Sequence, residues 1–213
     1  QGSTRLRDRD HQCHCQCRQR LFGQLDNFIK NNKEQGYDVY LITEDQWGGG
    51  MGDPAAENIR RWLVNNHVKL RIKYVLLIGN PSPDAEVGDV PMKMLWPRPC
   101  DNTTEANPVP SDFYYAELSG TWDLNGNGNY GESPQAPCYQ APEMADFGPG
   151  GADRYAELIV GRIPYYGDPA DLNHILQKIV SYEREGFSGA NWRDNVLLPM
   201  VASDKTTLGY QLG

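Results

Sequence analysis

The chain contains no apolar run approaching the about 18 residues that a membrane-spanning helix needs, so no helical span is expected. It has little positive charge: 20 Lys and Arg stand against 28 Asp and Glu, for a net charge of -8. No basic stripe occurs beyond the first twenty residues. That argues against a nucleic acid partner, which needs a positive footprint to displace counterions from phosphates. Neither a Gly-x-Gly-x-x-Gly nor a Walker loop follows the apolar segment Val75–Ile78, which argues against a nucleotide-binding fold. Cysteine is scarce and odd in number, at five, so at least one stays unpaired or pairs outside the chain. No internal repeat is visible.

What is present can build a core. Of the 213 residues, 39% are hydrophobic and 23% charged, enough for one domain or one and a half. Gly, Pro, Trp and Tyr are plentiful, as in loop-rich secreted enzymes. Cys100 and Cys138 lie in loop-like segments and are open to two readings, a bridge formed in an oxidising compartment or two free thiols. The sequence opens at Gln1 without Met or a signal peptide and stops at Leu212-Gly213, soon after an apolar strand. It reads as a fragment or as one chain of a processed protein.

Residues 1–20 form an irregular leader, with Arg5, Arg7, Arg9, Arg18 and Arg20 around Cys13-His14-Cys15-Gln16-Cys17. A metal site built from His11, Cys13, His14, Cys15 and Cys17 is one reading. Zinc sites, however, usually separate their cysteines by two to four residues, and here one residue intervenes. A disordered leader, or a mistranslated or vector-derived end, fits better.

Regular structure is expected from Leu21. Phe22, Leu25, Phe28 and Ile29 recur at helical spacing and Gly36 marks the stop. Tyr37 to Thr43 reads as a strand and Gly48-Gly49-Gly50 as a flexible loop. Asp53-Pro54 reads as N-cap and first turn of a helix carrying Ile59, Trp62 and Leu63 on one face. Tyr74 to Ile78 is a continuous apolar strand of the kind covered on both faces in a parallel sheet. Asn80 to Gly151 reads as mostly loop. Ala156 to Val160 then forms a buried strand ending at Gly161-Arg162. Leu172, Ile175, Leu176, Ile179 and Val180 follow a helical period, and Val196 to Val201 starts a last strand. The rhythm predicts an α/β fold with a parallel sheet flanked by helices and a long loop-rich insertion. A first subdomain spans 21–151, and the start of a second spans 152–213.

Five segments, in this order, carry a family resemblance: Tyr74-Val-Leu-Leu-Ile-Gly79, Ser111-Asp112-Phe113-Tyr114-Tyr115, Asp153 to Arg162, Leu172 to Glu183, and Trp192 to Leu198. Together they resemble the gingipain-like cysteine peptidases over about Leu25 to Ala202. The resemblance implies a caspase-like sandwich, an extracellular or cell-surface setting, protein or peptide substrates, and a Cys-His dyad. In that family the His stands in a Gly-His-Gly turn after a later strand, and the Cys follows one strand further on. The four histidines here, His11, His14, His67 and His174, stand in no such turn, and Cys100 and Cys138 precede the Gly-Arg strand. The resemblance therefore implies the N-terminal part of a catalytic domain that would be completed by the remaining C-terminal part of the same domain.

The resemblance also maps an acid that orients the His onto Glu157, because a carboxylate accepting the imidazole N–H fixes its tautomer. The alternative for Glu157 is a solvent-facing residue at a strand start. Asp168 and Asp171 read as the cap and first-turn acid of a helix, or as acids of a pocket for basic side chains. Asp112 suits either calcium or a loop hydrogen bond, and Arg162 suits a brace on a carboxylate. Asp123, Asn125, Asn127, Asn129 and Glu132 place oxygen side chains at alternating positions among glycines, the pattern of a calcium loop. The acid falls at position 10 of that loop, not 12, so it is no true EF-hand. A non-catalytic, calcium-stabilised adhesion or surface module on the same scaffold is the competing function.

Overall fold

The computed structural model describes residues 23–84, 89–96, 108–132, 146–153 and 155–185. The chain divides into two compact units, residues 39–172 and residues 1–38 with 173–213. Residues 1–20, Cys100, Cys138, and the expected strand at 196–201 with its preceding Trp192 lie outside the described residues.

In the smaller unit, helix α1 covers residues 23–34. Gly36, at φ 95°, turns the chain out of it. Gly36 N–H donates to the Lys33 carbonyl and Tyr37 N–H to that of Asn32, which satisfies carbonyls the helix end leaves open. The later part of helix α4 (Pro169–Arg184) belongs to the same unit. Buried Asn31 ties its end: Nδ2 donates to Glu183 at 2.6 Å, and Oδ1 accepts from Arg184 Nε at 2.7 Å.

Residues 37–43, at the boundary of the two units, form no strand. Their β-branched and aromatic content suits a strand, but a strand also needs a ladder partner, and Tyr40 and Leu41 stay exposed here. A short helix, α2 (Glu44–Trp47), stands before the expected loop at residues 48–50, its entry fixed by Gln46 Oε1 accepting the Thr43 N–H at 2.9 Å. Helix α3 (Gly52–Leu70) begins one residue before the expected cap. Asp53 does not cap it, because the carboxylate is drawn 3.1 Å from Lys93 Nζ. Ala55, Ala56, Ile59 and Leu63 form the buried face, and Trp62 packs beside them. Each large apolar side chain so buried contributes roughly 1.5–3 kcal/mol.

Strand β1 (Tyr74–Gly79) pairs in parallel with β4 (Ile159–Pro164), Tyr74 opposite Ile159 and Leu77 opposite Arg162. The later strand lies about three residues beyond its expected start. Glu157 and Leu158 give their N–H groups to the Ala116 carbonyl instead of to a ladder, so the sheet opens only at Ile159. Burial alternates: Leu77 is enclosed, whereas Tyr74, Leu76 and Ile159 are exposed. Ile163, on the same face as those three, is buried, so among the described residues that second face is covered only toward the carboxyl ends of the strands. The excursion between its strands is less loop-like than composition suggests. It holds an antiparallel pair, β2 (Lys93–Leu95) with β3 (Val109–Ser111), and a 3-10 turn at Phe113–Tyr115. Phe113, Tyr114, Trp122, Tyr130 and Phe147 meet edge to face and join the main core.

Candidate functional site

Two of the sequence motifs meet directly. Arg162 on β4 grips Asp112 with a two-pronged contact, Nε to Oδ2 at 2.7 Å and Nη2 to Oδ1 at 2.6 Å, and its Nη1 donates to the Val90 carbonyl at 2.6 Å. Such fork pairing is geometrically specific to Arg. Asp112 therefore braces the strand, the role expected of Arg162's partner. Tyr115, fully buried, donates its hydroxyl to the Pro91 carbonyl. Ser-Asp-x-x-Tyr and Gly-Arg are in this way the two halves of one lock.

A second buried network joins α3, β2 and the aromatic cluster. Lys93 Nζ lies 2.8 Å from Glu57 and 3.6 Å from the centre of the Tyr130 ring. Tyr114 OH donates to the other Glu57 oxygen at 2.8 Å. Burial alone would raise the Glu57 carboxyl, but the Lys93 hydrogen bond and charge, with the two tyrosines, hold it below its ordinary value. Burial pushes the Tyr114 hydroxyl far up.

Glu157 stands two residues before β4, at the amino end of the parallel sheet, and is exposed. Ligand sites in such sheets gather at the carboxyl ends of the strands. Its Oε2 accepts the Leu118 N–H at 2.5 Å. Beside it, buried Glu117 uses Oε1 to hold Ser119 N–H at 2.9 Å, Ser119 Oγ at 2.6 Å and Gly120 N–H at 2.9 Å. Arg60 holds the same segment through the carbonyls of Tyr114, Glu117 and Gly120. Carboxylate oxygens of Glu117, Asp153 and Glu157 all lie within 4.8 Å of one another. At the other end of β4, Asp168 Oδ1 accepts the Ala170 N–H at 2.8 Å, a contact that caps α4.

The structure brings the five residues of the Asn-rich loop together. Glu132 is buried, and the side-chain amides of Asn125, Asn127 and Asn129 reach its carboxylate at 3.1, 2.7 and 3.3 Å. Asn125 Oδ1 accepts the Asn127 N–H, and Asn127 Oδ1 that of Asn129. Asp123 Oδ2 accepts the Gly128 N–H at 3.1 Å, whereas its Oδ1 is buried without a partner. All five side chains carry oxygens of the kind calcium prefers, but here the three amide nitrogens, not the oxygens, face Glu132, so the amides would have to turn to hold an ion. Asp146 was not foreseen from the sequence. Fully buried, it accepts Leu124 N–H on Oδ1 and Glu132 N–H on Oδ2, both at 2.8 Å, closing the loop at its two ends. Burial raises its carboxyl above the ordinary range, against those backbone contacts. Nothing in its local sequence, Met144-Ala-Asp-Phe147, signals the role.

No helix among the described residues is long and apolar enough to cross a membrane. No curated protein and no solved structure matches the chain. A family model does, that of Peptidase family C25, over residues 17–208. It spans all five resembling segments, including both halves of the Arg162–Asp112 lock and the helix after it. The chain belongs to peptidase family C25, the gingipain family of cysteine peptidases.

Proposed function

We propose that this chain is the leading part of a secreted cysteine endopeptidase domain whose nucleophile and general base are supplied from beyond residue 213. The family match supports a peptidase, and the residue inventory supports the division. Neither Cys100 nor Cys138 follows the Gly-Arg strand, and none of the four histidines stands in a Gly-His-Gly turn. The completed site would attack the peptide carbonyl with a thiolate and hold the oxyanion on N–H donors. Glu157 is better suited to bracing the 116–118 segment than to orienting a histidine, because it sits at the amino edge with an oxygen committed to Leu118. Alkylating the intact protein with a peptidyl thiol reagent should stop cleavage and label one cysteine outside residues 1–213. In the same assay Glu157→Gln should leave kcat within a few-fold while lowering Tm. A loss of roughly a thousandfold at unchanged Tm would restore the orienting role. Labelling of Cys100 or Cys138 with loss of activity would refute the division.

A structural calcium ion in the 123–132 loop is the second element of this reading. The five oxygen-bearing side chains gathered in one loop and the buried, unpartnered Asp123 Oδ1 support it. Calorimetry on chelator-treated protein should show heat on calcium addition, and Glu132→Gln should remove it. An ion at a hundred times its dissociation constant would add about 2.7 kcal/mol of stability. Silence at millimolar calcium would end this part of the proposal. If the intact protein bound calcium and cleaved no peptide, the reading as a non-catalytic surface module would replace the first.

A further inference from the structure

Two Asn-Gly pairs occur in the whole sequence, Asn125-Gly126 and Asn127-Gly128, and both lie in this one loop. Glycine after asparagine leaves the backbone nitrogen unobstructed toward the side-chain carbonyl carbon. Both asparagines are exposed, and the space where a Cβ would stand on Gly126 or Gly128 is empty to 4 Å. At Asn127 three further features coincide. The Gly128 N–H, the nitrogen that would attack, already donates to Asp123 Oδ2 at 3.1 Å. The Asn127 amide nitrogen, the group that would leave, lies 2.7 Å from Glu132 Oε2. Asn127 Oδ1 accepts the Asn129 N–H at 2.7 Å, which draws electron density from the carbon under attack.

We propose that Asn127 is a self-modifying residue, converted to aspartate and isoaspartate in the folded protein with Asp123 as the base. The Gly128 nitrogen forms a bond to Asn127 Cγ as Asp123 takes its proton. The Cγ–Nδ2 bond then breaks, and ammonia departs with a proton relayed through the loop carboxylates. Water opens the resulting succinimide at either carbonyl to give the two acids. No oxidant or reductant enters, and the net change is one amide and one water for one carboxylate and one ammonium. Asn125 lacks the carboxylate on its attacking nitrogen among the contacts of the loop and reacts more slowly; Asn129, followed by Tyr130, is spared. The product turns an amide donor to Glu132 into a second negative charge beside it, so the loop loses a hydrogen bond and gains an acid.

The inference does not depend on calcium, and a chelator is kept in every arm of its test. The intact protein is aged in neutral buffer and its peptides are mapped, with isoaspartate scored separately. Asn127 should convert ahead of Asn125 in folded protein, the two should converge in denaturant, and Asp123→Asn should slow Asn127 by about tenfold or more in the folded arm alone. Asn127 unchanged over the time in which it converts in denaturant would overturn the proposal. So would equal folded rates at Asn125 and Asn127, a measurement that stands even if the Asp123 variant does not fold.

Discussion

Gly120→Ala is expected to unfold the larger unit at temperatures where the parent chain is intact. A Cβ on Gly120 would lie 1.9 Å from the Gly151 carbonyl oxygen, 2.4 Å from its carbon and 2.9 Å from the Ala152 nitrogen. All three are backbone atoms, so no rotamer change relieves the clash. The segment cannot easily move either. Glu117 holds the Gly120 N–H, Arg60 holds its carbonyl, and Thr121 N–H donates to the Gly150 carbonyl at 3.1 Å. Overpacking of this kind costs about 3 kcal/mol or more where the backbone must shift, equivalent to at least about 6 °C in Tm for a chain of this size. Gly126→Ala makes the control. It has open space around it and differs only in its φ of 73°, so about 1–2 kcal/mol is expected. Urea midpoints compare the two directly, and equal losses would show that conformation, not the Gly120–Gly151 approach, governs this segment.

The sequence carried the sheet, the helices and the grouping of the Asn-rich loop side chains because each is a local signal. Tyr74–Gly79 is apolar without interruption, α4 has a clean helical period, and the oxygen-bearing side chains from Asp123 to Glu132 fall within ten residues. What it did not carry was set by distant partners. The expected strand at 37–43 has strand-forming residues but no ladder among the described residues, so local propensity had nothing to act on. The β4 start was displaced because Ala116, some forty positions earlier, takes the N–H groups of Glu157 and Leu158. Asp53 before Pro54 has the local pattern of an N-cap, but the helix starts at Gly52 and the Asp53 carboxylate pairs with distant Lys93. Asp146 and Glu117 are buried acids whose partners are backbone N–H groups, and backbone groups leave no trace in a sequence. For Glu157 the residue type was suggestive, but its position relative to the sheet decides what it can touch, and only three dimensions supply that.

Arg162→Ala is expected to cost about 3–5 kcal/mol, because one partner of a desolvated ion pair is removed. The Arg162 side chain is 9% exposed and that of Asp112 24%, so truncation strands a largely dehydrated carboxylate and leaves the Val90 carbonyl without its donor. Arg162→Lys should recover little, because an ammonium cannot span both carboxylate oxygens and the carbonyl at once. Asp112→Asn keeps the shape but removes the charge, and should fall between. The double variant, Arg162→Met with Asp112→Leu, should be milder than Arg162→Ala alone, since no unpaired charge remains. Urea denaturation of the four corners of that cycle gives the coupling. A value near 2 kcal/mol or above fits a desolvated fork, whereas additivity within about 0.5 kcal/mol would mean the pair is only adjacent. The placement gives the pair its importance. Arg162 sits on β4 opposite Leu77, near the carboxyl end of both strands, and Asp112 belongs to the excursion that separates them in sequence. A long insertion gains little from its own short sheet, so a lock at its middle fixes it to the strand edge where sites in parallel α/β sheets form. Loss of the lock should therefore show first as proteolytic cleavage within residues 80–151, before the β1–β4 pairing itself melts.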